Sequence, residues 1–192
     1  VAEHMVKHVV QAGLMHTALQ GLLQAVAWPS TLMTMTGAID NAWSVAVERA
    51  DKAGILLANL LSSRQYSQHP VNLIGYSLGA RIIFKCLEEL AKRHVTGVIQ
   101  SAVLIGAPVT SNSKHWRGIR SVVAGRLANV YSSSDWMLGL LYRVSALKTG
   151  AAGLQPVAAV RGVENCDVSR IVQHHWKYPS LMPELIDILN LT

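Results

Sequence analysis

One serine stands between two glycines directly after a short apolar run. Residues 73–81 read LIGYSLGAR, so residues 75–79 match the pattern G-x-S-x-G. In enzymes with this pattern, a sharp turn from a strand into a helix holds the serine hydroxyl above the end of a sheet. The preceding VNLIGY predicts the strand and the following LGARIIFKCLEEL predicts the helix. Ser77 is therefore a candidate nucleophile, with a small residue in an ordinary tight turn as the alternative.

A serine hydroxyl is a weak nucleophile unless a base takes its proton and a third group orients that base. Asp135 follows the predicted strand LANVYS, and His174 and His175 come after a later predicted strand. Because ligands of parallel sheets bind at the carboxyl ends of the strands, we expect these groups to meet Ser77 there. Two alternatives stay open: Asp135 caps the helix that follows it, and the histidines lie in a surface loop.

The helix predicted after Ser77 offers a second chemical feature. Its N-terminus presents backbone N–H groups and a favourable field for developing negative charge. We therefore predict that the backbone N–H of Leu78 is one oxyanion donor. The only cysteines, Cys86 and Cys166, are predicted to be bystanders, and no Cys/His group has zinc spacing. The sequence thus predicts no metal and no cofactor, and two widely separated thiols favour a reducing, intracellular compartment.

The elements that must position these residues begin at residue 71, where short apolar runs rich in β-branched residues alternate with helical patterns. This alternation predicts an α/β fold with a mostly parallel sheet flanked by helices. The predicted strands are Val71–Tyr76, Ser101–Gly106, Leu127–Ser132 and Pro156–Arg161. The predicted helices are Leu78–His94, Lys114–Ala124, Asp135–Leu147 and Ser180–Leu189.

The segment before residue 67 has a different character. Apolar residues recur at helical spacing over 5–27 and again over 42–63, and residues 8–39 contain no Asp, Glu, Lys or Arg. Histidines, glutamines and the Trp28-Pro29-Ser30 break interrupt this charge-free stretch. We therefore expect a lid or an interfacial helical hairpin there rather than a membrane span.

The charge balance bears on partners. The 17 basic and 11 acidic residues give a net charge of +6, which suits an anionic membrane surface. The basic residues are scattered, no nucleic-acid motif accompanies them, and aromatic residues are sparse, so no nucleic-acid partner is predicted. The chain begins with Val and shows no signal peptide, so we expect a piece of a longer intracellular protein.

Much of the chain, from about Trp28 to Tyr178, resembles the α/β-hydrolase-like domain of the transmembrane and coiled-coil domain-containing type 4 proteins. These are eukaryotic membrane-associated proteins whose domain has no assigned function. The matching stretches are IDNAWSVAVERADKAG (39–54), PVNLIGYSLGARIIFKCLEEL (70–90), VLIGAPV (103–109), the Trp116-Arg117 stretch, GRLANVYSSSDWMLGLLYR (125–143) and ENCDVSRIVQHHWKY (164–178).

The resemblance implies an α/β-hydrolase fold with Ser77 as nucleophile and Asp135 as acid. The family's ending, Gly-His-x-x-Tyr, maps onto residues 174–178, which implies that His175 is the base. His174 stands where the family has a small residue, and it is kept as the reserve base.

The same resemblance predicts how the chain is divided. An α/β-hydrolase fold has further strands before the nucleophile strand, and one of their loops supplies the second oxyanion N–H. We expect residues 1–66 to be a helical segment and residues 67–192 to be the C-terminal part of the hydrolase core. The missing strands are then expected upstream of Val1, unless a partner covers the exposed strand edge.

Two functions follow from these observations. The first is a serine hydrolase, similar to an esterase, lipase or thioesterase, that cleaves an acyl-ester or lipid-like substrate through an acyl-enzyme. The alternative is a non-catalytic module of the same fold for protein or membrane interaction in trafficking. A Ser77 hydroxyl more than about 4 Å from both histidines favours the module. We expect membrane association in the full-length protein and a soluble chain here.

Overall fold

The structure is a computed structural model that describes residues 29–63, 69–144 and 150–190, with side chains for 42–63, 69–142 and 150–190. The chain divides into two compact units, Val1–Ala42 and Trp43–Thr192, and the second contains the sheet. The helix predicted at 5–27 and most of the charge-free stretch 8–39 lie outside the described residues.

Five α-helices and four strands make up the described part. The helices are α1 (Pro29–Leu61), α2 (Leu78–Lys92), α3 (Ser113–Arg120), α4 (Trp136–Val144) and α5 (Met182–Ile188), with a 3₁₀ turn at His175–Lys177. The strands are β1 (Val71–Tyr76), β2 (Ile99–Ile105), β3 (Leu127–Tyr131) and β4 (Val163–Asp167). No helix of this part combines the length and hydropathy needed to cross a bilayer.

The four strands form one sheet in the order β1-β2-β3-β4, and each neighbouring pair is parallel. Parallel neighbours require crossover connections, and helices supply them here. The predicted α/β architecture with a parallel, helix-flanked sheet is therefore confirmed. In this arrangement every strand ends at the same edge of the sheet, which is the edge where a site is expected.

Both faces of the sheet are covered, as the near-continuous apolar character of β2 indicates. Ala102 and Leu104 face one core cluster, which also contains residues of α1, α2 and α3. Val103 and Ile105 face the other, which contains Leu185 and other residues of the C-terminal segment. Successive β2 side chains thus point into opposite cores, because side chains alternate along a strand.

The fourth strand was predicted at the wrong place. Residues 156–161 form no strand, and β4 is Val163–Asp167 instead. The sequence VENCD is polar because β4 lies at a sheet edge and most of its side chains are exposed or half-buried. The apolar stretch before it is held by a side chain: Asn165 accepts from the N–H of Val157 (2.8 Å) and donates to its carbonyl (3.0 Å).

The helix predicted at Lys114–Ala124 is also shorter than expected. Its prediction extended to Ala124, whereas α3 ends at Arg120. The N–H groups of Ala124 and Gly125 donate instead to the carbonyls of Ile99 (2.9 Å) and Gln100 (2.8 Å), at the start of β2. The chain leaves the helix because these sheet-side acceptors replace the intrahelical ones.

A two-point ion pair holds α1 against the helix that follows Ser77. The guanidinium of Arg81 donates to both carboxylate oxygens of Asp51 (2.8 and 2.9 Å) and to the carbonyl of Pro108 (2.8 Å). The two side chains are only 21% and 28% exposed. Such a bidentate, partly buried pair fixes geometry more firmly than a surface pair.

We expect Asp51→Ala to lower the free energy of unfolding by about 1–3 kcal/mol, because it leaves a partly buried guanidinium without its partner. The matched control is Glu48→Ala, on the same helix. Glu48 pairs with Lys52 at 2.6 Å, but these side chains are 64% and 71% exposed, so no measurable change is expected. Urea unfolding measures both, and equal losses from the two variants contradict this account.

Candidate active site

Ser77 lies at the turn between β1 and α2. Its backbone angles are φ 53° and ψ −124°, in a region that disfavours residues with a side chain. Both of its peptide groups are fixed: its N–H donates to the carbonyl of Ile105 (2.9 Å), and its carbonyl accepts from the N–H of Arg81 (3.1 Å). The neighbouring strand and the helix together hold the strained turn that the motif predicts.

The two glycines of the motif have different roles. A Cβ at Gly75 would lie 2.6 Å from the side chain of Ile83 and 2.8 Å from the backbone N of Ala80, so strand and helix approach each other too closely for a side chain. A Cβ at Gly79 would meet no described atom within 4 Å. Close packing therefore requires the first glycine, while the described residues do not require the second.

The structure brings Ser77, His175 and Asp135 into one hydrogen-bonded chain. Ser77 Oγ lies 2.7 Å from His175 Nε2, and His175 Nδ1 lies 2.5 Å from Asp135 Oδ2. They follow β1, β4 and β3 respectively, at the carboxyl edge of the sheet. In such a chain a histidine can take the serine proton while the carboxylate fixes the ring's tautomer and orientation.

Asp135 uses its two oxygens differently. Oδ2 contacts His175, while Oδ1 accepts from the backbone N–H of Leu138 (3.0 Å) in the first turn of α4. The helix-capping role and the role beside a histidine, which the sequence left as alternatives, occur together in one residue. Asp135 is fully buried and His175 is 6% exposed, so bulk water does not compete for their contact.

Two further residues support this site, and the sequence analysis did not single them out. The hydroxyl of Tyr76 donates to the carbonyl of His175 (2.7 Å), and the two rings lie 5.0 Å apart. The buried hydroxyl of Ser132 donates to the carbonyl of Val172 (2.5 Å), which ties the acid's loop to the histidine's loop. The only sequence signals for these two residues were their positions: Tyr76 lies inside the G-x-S-x-G motif, and Ser132 begins the serine run before Asp135.

The Tyr76 contact is a stable donor interaction. Burial, and to a smaller extent the charge of Asp135, raises the pKa of the Tyr76 hydroxyl above its ordinary value. The tyrosine hydroxyl therefore remains protonated, and able to donate its hydrogen bond, at neutral pH. Tyr178 packs against the same histidine, with its ring 5.7 Å away, but its buried hydroxyl has no hydrogen-bond partner among the described residues.

The remaining predicted residues are placed as follows. Leu78 is the first residue of α2, where a helix leaves its N–H groups without intrahelical partners. His174 is not part of the hydrogen-bonded chain; its ring stacks on Trp176 at 4.7 Å, and its Nδ1 has no described partner. Burial raises the pKa of the Cys86 thiol to about 12, so it carries no thiolate at neutral pH.

Metal chemistry has no evident location in the described part of the chain. Among those residues, no three His, Cys, Asp or Glu side chains are grouped so that they could hold a metal ion.

Comparison with known proteins gives relatives along the whole chain. The transmembrane and coiled-coil domain-containing protein STS1 of Oryza sativa is 45% identical over 192 residues, which is 100% of this chain and 29% of that protein. An uncharacterized membrane protein of Caenorhabditis elegans is 40% identical over 185 residues, 95% of this chain and 30% of its own length. The probable lipase MIL1 of Saccharomyces cerevisiae is 36% identical over 176 residues, 91% of this chain and 16% of its own length.

The chain thus spans less than a third of the length of these curated relatives. The rice relative STS1 carries the transmembrane and coiled-coil domain-containing name that the sequence stretches led us to expect. No solved structure matches the chain. The family described as "Protein of unknown function (DUF726)" matches residues 1–192, so the chain belongs to the DUF726 family.

Proposed function

We propose that this chain is a serine hydrolase of ester or thioester bonds, with Ser77 as nucleophile, His175 as base and Asp135 as the orienting acid. The observation that carries the proposal is the chain of short contacts, 2.7 Å from serine to histidine and 2.5 Å from histidine to aspartate. The non-catalytic alternative predicted a serine out of reach of both histidines, and this geometry does not favour it.

The proposed reaction has two halves. Ser77 Oγ attacks the carbonyl carbon while its proton moves to His175 Nε2, and the tetrahedral intermediate collapses as that proton passes to the leaving alcohol or thiol. Water then attacks the acyl-serine with His175 again as base, which releases the acid and restores the serine. Asp135 stays ionised throughout and stabilises the imidazolium through Nδ1.

The negative oxygen of the intermediate needs donors. We propose the backbone N–H of Leu78 as the first. The second is expected from a strand-connecting loop beside β1, because the proposed α/β-hydrolase fold has further strands there. β1 lies at an edge of the described sheet, and Ile74 is 51% exposed, which is consistent with a segment packing against it. Residues 67–192 then form the C-terminal part of that core.

The substrate class is proposed from the names of the relatives. One relative at 36% identity is named a probable lipase, and others are named membrane proteins. We therefore propose a lipid-like acyl ester as substrate and association of the full-length protein with a membrane. The reserve base, His174, plays no part in this proposal, because its ring contacts Trp176 rather than Ser77.

Labelling with a fluorophosphonate probe tests the nucleophile directly. We expect the full-length protein to be labelled and Ser77→Ala to abolish labelling, with ester hydrolysis falling by about 10⁴-fold or more. The matched control is Ser101→Ala, on β2, whose hydroxyl is exposed and donates to the side chain of Asn72. If Ser77→Ala is labelled as strongly as Ser101→Ala, the proposed nucleophile is wrong.

Two substitutions of Asp135 separate its two roles. In Asp135→Asn, the amide oxygen still accepts from the backbone N–H of Leu138. The amide NH₂ group then faces His175 and imposes the wrong tautomer on its imidazole. We expect hydrolysis of a p-nitrophenyl ester to fall by roughly 10³–10⁴-fold with little loss of stability. Asp135→Ala should lose the same activity and also about 1 kcal/mol of helix-capping stability. Thermal unfolding distinguishes the two, and activity in Asp135→Asn near that of wild type contradicts the assignment.

Tyr76→Phe tests whether the tyrosine positions the histidine. The variant keeps the ring but loses the 2.7 Å hydrogen bond to the His175 carbonyl. We expect kcat to fall by about tenfold while KM changes by less than about twofold, because the base is displaced and substrate contacts are not. Tyr178→Phe is the control, since that hydroxyl has no described partner, and it should change kcat little. Equal kcat values for Tyr76→Phe and Tyr178→Phe would contradict the positioning role of Tyr76.

A further inference from the structure

Over residues 136–142, where the structure describes its side chains, α4 turns no charged side chain to solvent. Over residues 136–142 only Leu138 and Tyr142 are buried, and every other position is apolar or glycine. Trp136 is 48% exposed and Leu140, one turn later, is 46% exposed. A surface helix normally turns charged or polar residues to water, so this face departs from the usual pattern.

A second exposed tryptophan extends the same surface. Trp176 is 40% exposed, and its ring meets that of Trp136 edge-on, with centroids 6.1 Å apart. The other side of Trp176 stacks on His174 at 4.7 Å, which restricts the ring's orientation. Trp136, Leu140 and Trp176 together are here named the tryptophan patch. Contiguous exposed apolar side chains can form a surface for binding a partner or a membrane.

The exposed charges beside the patch are basic on balance. Segments 135–142 and 168–178, which carry it, contain one carboxylate, Asp135, and that group is fully buried against His175. Their other ordinary charges are the exposed side chains of Arg170 and Lys177. One exposed carboxylate, Asp167 at the end of β4, directly precedes the second segment, and its Oδ1 accepts from the backbone N–H of Ser169 (2.9 Å). Two exposed cations against one exposed carboxylate leave a basic excess beside the apolar centre, which complements an anionic, amphipathic surface.

The position of the patch limits what can cover it. Trp136 directly follows Asp135 and Trp176 directly follows His175, so the patch borders the proposed active site. A protein segment bound there permanently would obstruct the substrate's approach. An assembly of lipid molecules would instead carry the substrate to the site.

From this we infer that the tryptophan patch docks the chain onto the surface of an anionic lipid bilayer, with the two indole rings in the interfacial layer. The inference rests on the proposed function, because it takes the substrate from that same surface. Tryptophan suits this role, since its ring is apolar while its N–H remains able to meet the polar headgroups.

Vesicle co-sedimentation tests the inference without catalysis. The 192-residue chain carrying Ser77→Ala is mixed with vesicles of phosphatidylcholine and phosphatidylserine, or of phosphatidylcholine alone. Trp136→Ser and Leu140→Ser are each introduced into this Ser77→Ala chain. We expect either substitution to weaken binding to the anionic vesicles by about tenfold. The control is Leu56→Ser on α1, which replaces a side chain that is 67% exposed and should leave binding unchanged. Because Trp136 contacts Trp176, Leu140→Ser serves if Trp136→Ser does not fold.

The test compares vesicle binding of the patch variants with that of the Leu56→Ser control, because lipid binding by the charge-free stretch 8–39 would be the same in all of them. The inference is overturned if the chain does not bind anionic vesicles, or if Leu140→Ser binds like Leu56→Ser. It is also overturned if the patch variants abolish self-association in size-exclusion chromatography, because a second copy is then the occupant. Fluorophosphonate labelling of the chain with Ser77 intact, done in parallel, reports separately on the proposed function.

Discussion

The buried carboxylate of Asp135 connects the parts of the structure on which the site depends. A carboxylate without solvent must be satisfied by hydrogen bonds, and its partners come from two places: the first turn of α4 and a histidine 40 residues later. Those contacts fix where α4 begins and where the loop after β4 returns to the sheet. Because the same loop carries His175, the acid also determines which ring faces Ser77. The start of α4 and the position of His175 beside Ser77 therefore both depend on this one buried carboxylate.

The parallel sheet also determines where Ser77, Asp135 and His175 lie. Parallel pairing brings the ends of β1, β3 and β4 to one edge, so groups far apart in the chain arrive together without any local contact between them. Tyr76 then joins the first strand to the last loop, across a separation of 99 residues. Contacts from separate strands and loops thus converge on His175, which makes its position a property of the folded sheet rather than of one loop.

Sequence reasoning reached the features that have local signals. β1 and the turn at Ser77 were predictable from the apolar run and the G-x-S-x-G pattern, and the order of serine, acid and histidine indicated where partners would come from. β4 was missed because an edge strand need not be apolar, whereas the apolar stretch before it is held by the Asn165 side chain. The contacts of Tyr76 and Ser132 were beyond reach, since each depends on a partner brought near only by the folded sheet.

The backbone angle of Ser77 has a consequence for how the family can diverge. A side chain at φ 53° stores conformational strain of about 1–3 kcal/mol, and glycine at the same place would release much of it. Stability alone would therefore favour glycine at this position, and the proposed use of the hydroxyl would oppose that replacement. A descendant that kept the fold solely as a scaffold would gain by drifting to glycine. Under the proposed function, family members that keep the activity are expected to keep serine here.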